Sequence, residues 1–355
     1  MREIEVGGDA YQLGRGLGEA AASAIHEIIP RLTRFQALEK EWAGSDRLKA
    51  LLGAARGAFP EYVREIEGIA DGARVGFETM FLWNCRGDFP GGGDQEHPED
   101  AGCTTVMMPA RGGEPAIIAH NEDDQAELDG HCFLVRARPM DGIGFTSFYS
   151  PGLLPGHTFS INDAGLVQTI NHVRPHDQTV GIPRHIITRA VLGSADLDTA
   201  LAILDRGDRA SGFHHNLGQA GDDRLLSVEA PATRCVVHSV DAATAHANHL
   251  IFPECADIHQ ETTESSDRRQ RRATVLISEG ALDGRDATTV LGDAEDPELP
   301  ICRKRRGGVD TGYTLASAVF RIANDRVDWR VLSHPGKAPE FSGQNLLFPS
   351  GNHRA

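Results

Sequence analysis

The chain has 355 residues with a net charge of −16, 40% hydrophobic and 24% charged, the balance of an ordinary globular protein with ample material for a core. The acidic excess argues against nucleic acid or an anionic membrane as partner, although "DRRQRR" at 267–272 and "CRKRRGG" from 302 are locally basic. No bilayer-length apolar run, signal peptide, C-x-x-C pair or disulfide framework is visible, with cysteines at 85, 103, 132, 235, 255 and 302, so a cytoplasmic protein with reduced thiols is expected.

In chain order, residues 9–30 read as helix, with glycines in "GRGLGEAAASAIHEII". Their spacing is not that of a dinucleotide fingerprint and no convincing strand precedes them, so no cofactor is expected. "SDRLKALLGAARGAF" and "PEYVREIEGIADGA" carry apolar residues at helical spacing, with Pro60 suited to a first turn. The first eighty-odd residues are thus mainly helical, and "GDFPGGGDQEHPEDAG" (87–102) reads as an exposed loop.

Strand-like runs then follow one another: "TTVMM", "PAIIAHN", "CFLVRAR", "GFTSFY", "HTFSIN" and "GLVQTINHV". A helical stretch covers 183–206, with Ser194 and Asp196 as candidate caps. "NLGQA", "RLLSVEA", "RCVVHSV" and "TAHANHLI" resume the strands, a basic helix spans 266–280, and "YTLASAVFRI" and "RVDWRVLSH" close the pattern. Strands joined by short turns predict an α+β fold of antiparallel sheets with helices on their faces.

"CTTVMMPARGGEPAIIAHNEDD" has the form of a hairpin. A turn centred between Gly112 and Gly113 puts Cys103 opposite Glu122, with Asn121 and Asp123 sharing a face. A thiol, an amide and a carboxylate could meet there; a surface hairpin ending in a solvated acidic turn fits the spacing equally well. No histidine partner for the thiol can be chosen among 16. Cutting the Gly102–Cys103 bond would instead give Cys103 an α-amine, whose pKa of about 7.7–8.0 suits a base that activates its own side chain. The exposed loop upstream would tolerate such a cut.

Gly-Cys-Thr-Thr at a strand start, with Asn-x-Asp closing the next strand, resembles the peptidase C45 family, the isopenicillin-N/6-aminopenicillanate acyltransferase type of N-terminal nucleophile hydrolase. "YQLGRGLGE", "SINDAGLVQTIN", "HHNLGQAGDDRLLSVEA", "HANHL", "SSDRRQRRATVL" and "YTLASAVFRI" extend the likeness in the family's order. The resemblance implies a four-layer αββα sandwich and autocatalytic cleavage between Gly102 and Cys103. Residues 1–102 would be a helical N-terminal segment, becoming the small chain, and 103–355 the catalytic domain, the large chain. The two chains would stay associated.

By the same resemblance Cys103 is the nucleophile and Asp123 orients the new ammonium. Asn216 donates to the oxyanion, Asn171 is a second polar group near that hole, and Arg269 is the first arginine of Ser-x-x-Arg-x-x-Arg, with Arg272 the second. Thr105, His120, Asn121, Glu122, His215 and Arg272 are expected around the substrate. Glu122 replaces an aromatic of the penicillin-type enzymes and His120 an arginine of the bile-salt relatives, so their acyl pocket and carboxylate recognition are not expected.

Several residues also have plainer readings: Asp123 as a turn acid, Asn216 as a strand-edge group, Arg269 and Arg272 as a solvated helix face. His246 and His249 have a helical metal spacing, but in a strand they face opposite ways, so no metal is expected; His214 and His215 could line the site beside Asn216. The expected activity is hydrolysis of a linear amide of a small acylated substrate through an acyl-thioester on Cys103. The alternatives are transfer of the acyl group to an amine, a catalytically silent amide-binding homologue, and metal-assisted hydrolysis through histidines. A small-molecule amide is the expected partner, and homo-oligomerisation stays open.

Overall fold

The strand-like runs assemble into two sheets in the computed structural model, which describes residues 1–90, 102–304 and 312–347. Among these, one sheet contains, in spatial order, β1 (Arg2–Gly8), β4 (Phe133–Pro139), β5 (Phe145–Tyr149), β6 (Phe159–Asn162), β7 (Leu166–His172), β8 (Phe213–Gln219), β9 (Leu225–Ala230) and β10 (Val236–Ser239). The other contains β11 (Thr244–His246), β2 (Thr104–Met108), β3 (Ala116–Gln125), β12 (Gly312–Ile322), β13 (Arg326–Leu332) and β14 (Phe341–Leu346).

Three apolar clusters define the layers. Helices α1 (Ala10–Glu27), α2 (Thr33–Trp42), α3 (Asp46–Ala58), α4 (Pro60–Ala73), α5 (Phe77–Asn84), α6 (Arg184–Leu192) and α7 (Leu197–Leu204) pack Leu17, Ile66, Trp83 and Ile186 with Phe133, Val135 and Leu217 of the first sheet. Between the sheets lie Met107, Ile118, Phe148, Phe159 and Phe320. On the far face, Val106, Ile117 and Ala119 pack with Ala273 of α8 (Glu264–Ser278) and Leu291 of α9 (Thr288–Leu291). Neighbouring residues of β2 and β3 thus enter different clusters, as strand alternation requires. The order of layers is αββα, as expected.

Three features differ from the sequence reading. A strand does precede the glycine-rich helix: β1 pairs with β4, and the pairing is parallel in a fold expected to be antiparallel. The glycines nevertheless serve packing, because a Cβ at Gly14, Gly18, Gly68 or Gly72 would fall within about 2 Å of a carbonyl oxygen of the facing helix. They let α1 and α4 touch backbone to backbone. Residues on the two sides of position 102 share one core, since β1 extends the first sheet and α1–α5 cover part of its outer face. The short α2 and α5 and the edge strand β14 had no legible pattern.

The β2–β3 hairpin has the register expected of it, Thr104 opposite Asn121 and Met108 opposite Ile117. Gly112 and Gly113 turn it at φ of +61° and +85°, a left-handed pair that side chains disfavour. On the other edge of β3, β12 carries a bulge between Thr314 and Ala316, beside Asp123 and Glu122. The centre of the loop read at 87–102 and most of the basic run after Cys302 lie outside the described residues. Among the described residues no helix is long and apolar enough to cross a membrane.

Candidate active site

Cys103 immediately precedes β2, is 6% exposed, and follows the alternation that sends Thr105 and Met107 between the sheets. On that side its Sγ donates to Glu122 Oε2 at 3.1 Å, and His120 Nε2 lies 3.4 Å from the same oxygen. These contacts account for the convergence of thiol, imidazole and carboxylate within 4.8 Å. Burial, and then the negative charges of Glu122 and Asp123, push the Cys103 thiol well above its ordinary pKa. Burial and Asp124 raise Glu122 to about 8, against Arg86 and Arg34. Asp124 itself stays below the usual range, because Arg34 at 2.7 Å and Arg86 at 3.9 Å overcome its burial.

The backbone around Cys103 is held from the opposite side. Its N–H donates to Asn248 Oδ1 at 2.9 Å, and its carbonyl accepts from Arg269 Nη1 at 2.8 Å. Arg269 also donates to Thr104 Oγ1 (2.9 Å), Asn248 Oδ1 (2.7 Å) and Ser265 Oγ (3.1 Å). Asn248 Nδ2 donates to the His172 carbonyl at 2.9 Å. Gly102 donates its N–H to the Asp123 carbonyl at 3.1 Å, and a Cβ on Gly102 would meet Arg269 Nη2 at 2.6 Å and Asn248 Oδ1 at 3.0 Å. Only glycine leaves room there for the cations and amide to close on the peptide. Arg303 Nη1 lies 3.9 Å from Asp123 Oδ2; burial raises Asp123 to about 6, while Arg303 and then Arg269 oppose the rise.

A buried polar chain leads from the thiol across the intersheet space. His120 Nδ1 meets Thr105 Oγ1 at 2.8 Å, and Thr105 donates to Asn171 Oδ1 at 2.9 Å. Asn171 Oδ1 also accepts from Asn216 Nδ2 at 2.9 Å and lies 3.1 Å from His214 Nδ1. His214 stacks on His246 at 3.4 Å, and His246 Nε2 meets Glu229 Oε1 at 3.1 Å. Burial holds His120 at about 3, so its ring is neutral.

The expected site residues therefore separate. Cys103, Glu122, His120, Arg269 and Gly102 converge. Thr105, Asn171 and Asn216 lie farther along the intersheet chain, and the Asn216 amide donates to Thr169, Asn171 and Thr105 rather than beside the thiol. Asn121 and Asp123 do share a face, but it is the helix-side face of β3, and the carboxylate that meets the thiol is Glu122. Asn121 Nδ2 donates to the Leu291 carbonyl at 2.8 Å, tying β3 to α9. His215 alternates away from Asn216 and His214, toward Phe213. Arg272 pairs with Asp293 and Glu295 on the outer side of α8, one helical turn beyond Arg269 but not beside Cys103. His249 bonds Ser266 and does not meet His246 in a metal geometry.

Two residues were not singled out from the sequence. Asn248 lies within the landmark "HANHL" between two histidines of metal-like spacing, and Arg303 within a locally basic run. A cavity of about 40 Å³ adjoins Cys103 and Glu122, bordered also by Arg34, Arg86, His157 and Phe213. That is room for water and not for an acylated amide.

A family model described as "Acyl-coenzyme A:6-aminopenicillanic acid acyl-transferase" matches residues 110–335, beginning after Cys103. The chain is 30% identical over 215 residues to the β-alanyl-dopamine/carcinine hydrolase of Drosophila melanogaster, covering 56% of this chain and 55% of that protein. It thus spans about half the length of that relative. It is 26% identical over 332 residues to the 40 kDa form of the acyl-coenzyme A:6-aminopenicillanic-acid-acyltransferase of Emericella nidulans, covering 90% of this chain and 89% of that one. Penicillin V acylase from Agrobacterium tumefaciens aligns at 12% identity and a TM-score of 0.36, over 67% of this chain and 84% of that one. With more than half of its length matched by the family model, the chain belongs to the acyl-coenzyme A:6-aminopenicillanic acid acyl-transferase family of peptidase C45 type.

Proposed function

We propose that the protein is a self-processed, cytoplasmic cysteine amidohydrolase that cleaves a linear amide of a small acylated amine. The observation that carries this reading is the environment of the Gly102–Cys103 peptide, with Asn248 on the Cys103 nitrogen, Arg269 on the carbonyl of Cys103 itself, one peptide further on, and a buried thiol beside them. After a cut, the Cys103 α-amine takes the place of the peptide N–H and serves as base for its own thiol. Asp123, on the far side of β3 with Arg303 and Arg269, sets the field around that ammonium.

The thiolate attacks the substrate carbonyl, the amine departs with a proton from the α-ammonium, and water hydrolyses the acyl-thioester. Asn248 supplies the oxyanion donor in this scheme, its Nδ2 turning from the His172 carbonyl. Asn216, Asn171 and Thr105 hold the intersheet side of the site. The hydrolase among the relatives supports water as acceptor, and the acyltransferase keeps transfer to an amine as the second reading.

The test is intact mass of the purified full chain, followed by turnover of β-alanyl and other acyl amides. Two fragments, of about 102 and 253 residues by subtraction from 355, and an acyl adduct on Cys103 are expected, with Cys103→Ala a single band. An uncut wild-type chain that ignores thiol reagents would refute the reading.

A further inference from the structure

We propose that the Glu122 carboxylate accepts the Cys103 thiol proton when the chain cuts itself, a role distinct from that of the α-amine which the cut creates. This rests on the self-cleavage reading above. In the uncut chain the Cys103 nitrogen is an amide that donates its hydrogen to Asn248 Oδ1; it has no basic lone pair. The base of the mature enzyme therefore does not exist at the moment when it is first needed.

The groups around the peptide sort by chemistry. Arg269 and Arg303 are permanent cations and only donate. Asp123 lies on the helix-side face of β3, away from the thiol. Glu122 Oε2 is the acceptor in contact with the sulfur, at 3.1 Å. Behind it His120 Nε2 stands at 3.4 Å. Thr105 gives its hydrogen to Asn171 Oδ1, so His120 Nδ1 carries the hydrogen shared with Thr105 and leaves Nε2 as an acceptor facing Glu122. A proton arriving on Glu122 thus finds a neutral imidazole ready to share it.

The step balances with water alone. The thiol proton passes to Glu122, and Sγ attacks the Gly102 carbonyl carbon through a five-membered ring. The new C–S bond forms, the Gly102–Cys103 C–N bond breaks, and Glu122 returns the proton to the departing nitrogen. Water adds to the thioester, the C–S bond breaks, and the Gly102 carboxylate and Cys103 thiol are released.

The full-length chain made by cell-free translation is followed by intact mass over time. Glu122→Gln slows cutting by about 100-fold or more, the scale of a general base, whereas Glu122→Asp keeps part of the rate. Hydroxylamine, which cleaves thioesters, does not speed the release of fragments from Glu122→Gln, because forming the thioester is the slowed step. Cutting of Glu122→Gln at the wild-type rate, or its acceleration to that rate by hydroxylamine, overturns the assignment.

The wild-type rate as a function of pH is an independent measurement that needs no variant. It rises toward pH 8, where Glu122 loses its proton, and a flat profile from about pH 6 to 9 overturns the proposal. The charged and titratable groups that act on Glu122 or feel its charge are Cys103 beside β2, His120 and Asp124 on its own strand, Asp123 across that strand, Arg34 from α2, Arg86 after α5 and Cys132 before β4. A wild-type chain that never cuts would instead refute self-cleavage itself, so the two failures are distinct.

Discussion

Arg269 of α8 donates to the carbonyl oxygen of Cys103 at 2.8 Å, although 166 residues separate them in the chain. The same guanidinium reaches Thr104, Asn248 and Ser265, a planar fork that binds these four acceptors from a buried position. Lysine offers a single mobile ammonium and cannot reproduce this. Arg269→Lys is expected to lower both self-cleavage and amide turnover by at least about tenfold, the effect of losing one charge-assisted hydrogen bond of roughly 1.5–3 kcal/mol. Intact mass and a turnover assay read this directly; wild-type values would detach Arg269 from the chemistry.

Asn248 and Asn216 give opposite expectations. Asn248→Ala removes the amide beside the Cys103 nitrogen and should lower kcat by about 100- to 1,000-fold, the scale of one oxyanion donor. Asn216→Ala breaks the intersheet hydrogen bonds to Thr169 and Asn171 and should chiefly lower the melting temperature. Kinetics and thermal melts of the two variants compare them, and a larger kcat loss for Asn216→Ala would reverse the assignment.

The α1–α4 crossing is a site of stability without chemistry. Gly18→Ala places a methyl about 2.1 Å from the Ile69 carbonyl oxygen, so the helices must move apart. A loss of about 1–3 kcal/mol is expected, seen as a lower urea midpoint with kcat unchanged in the folded protein. An unchanged midpoint would mean that the helices are not held that close.

Stability should fall between pH 7 and pH 5. Burial holds His120, His157 and His215 at about 3, against an ordinary 6.5, and His172, His185 and His214 also lie well below it. Depressed pKa values stabilise the fold above about 6.5, and that contribution is lost as pH drops toward the folded values. Raised carboxylates act oppositely: Asp88 and Asp123 at about 6, and Glu122 at about 8, cost stability as pH rises above their ordinary range. With His249, which burial holds at about 4, and Glu65, which burial raises, seven lowered imidazoles outweigh four raised carboxylates across this interval. Melting temperatures at the two pH values check the sign.

The strands of the two sheets were legible because alternation and turn residues are local signals. The hairpin register followed from two glycines, and the pairing of Cys103 with Glu122 came with it. What adjacent residues do was harder to read: Glu122 meets the thiol while Asp123 faces α8 and α9, a division set by which layer covers each side of β3. Asn248 and Arg303 come from segments far along the chain from the hairpin, Asn248 145 residues after Cys103, and only the packing of α8 and β12 on β2 and β3 brings them to the site. β1 carries no local strand signal, because its partner, β4, lies more than a hundred residues later and its seven residues include three charges and two glycines.

The parallel pairing of β1 with β4 bears on what a cut chain could do next. An N-terminal piece that forms one sheet edge and five helices of one face cannot leave without exposing the core it covers. Mixed labelled and unlabelled cut molecules should therefore show no exchange of pieces below the melting transition. Once melted, the cut protein would have to find its missing piece by diffusion, whereas an intact Cys103→Ala chain carries that piece along. Refolding yield should then depend on concentration for the first and not for the second.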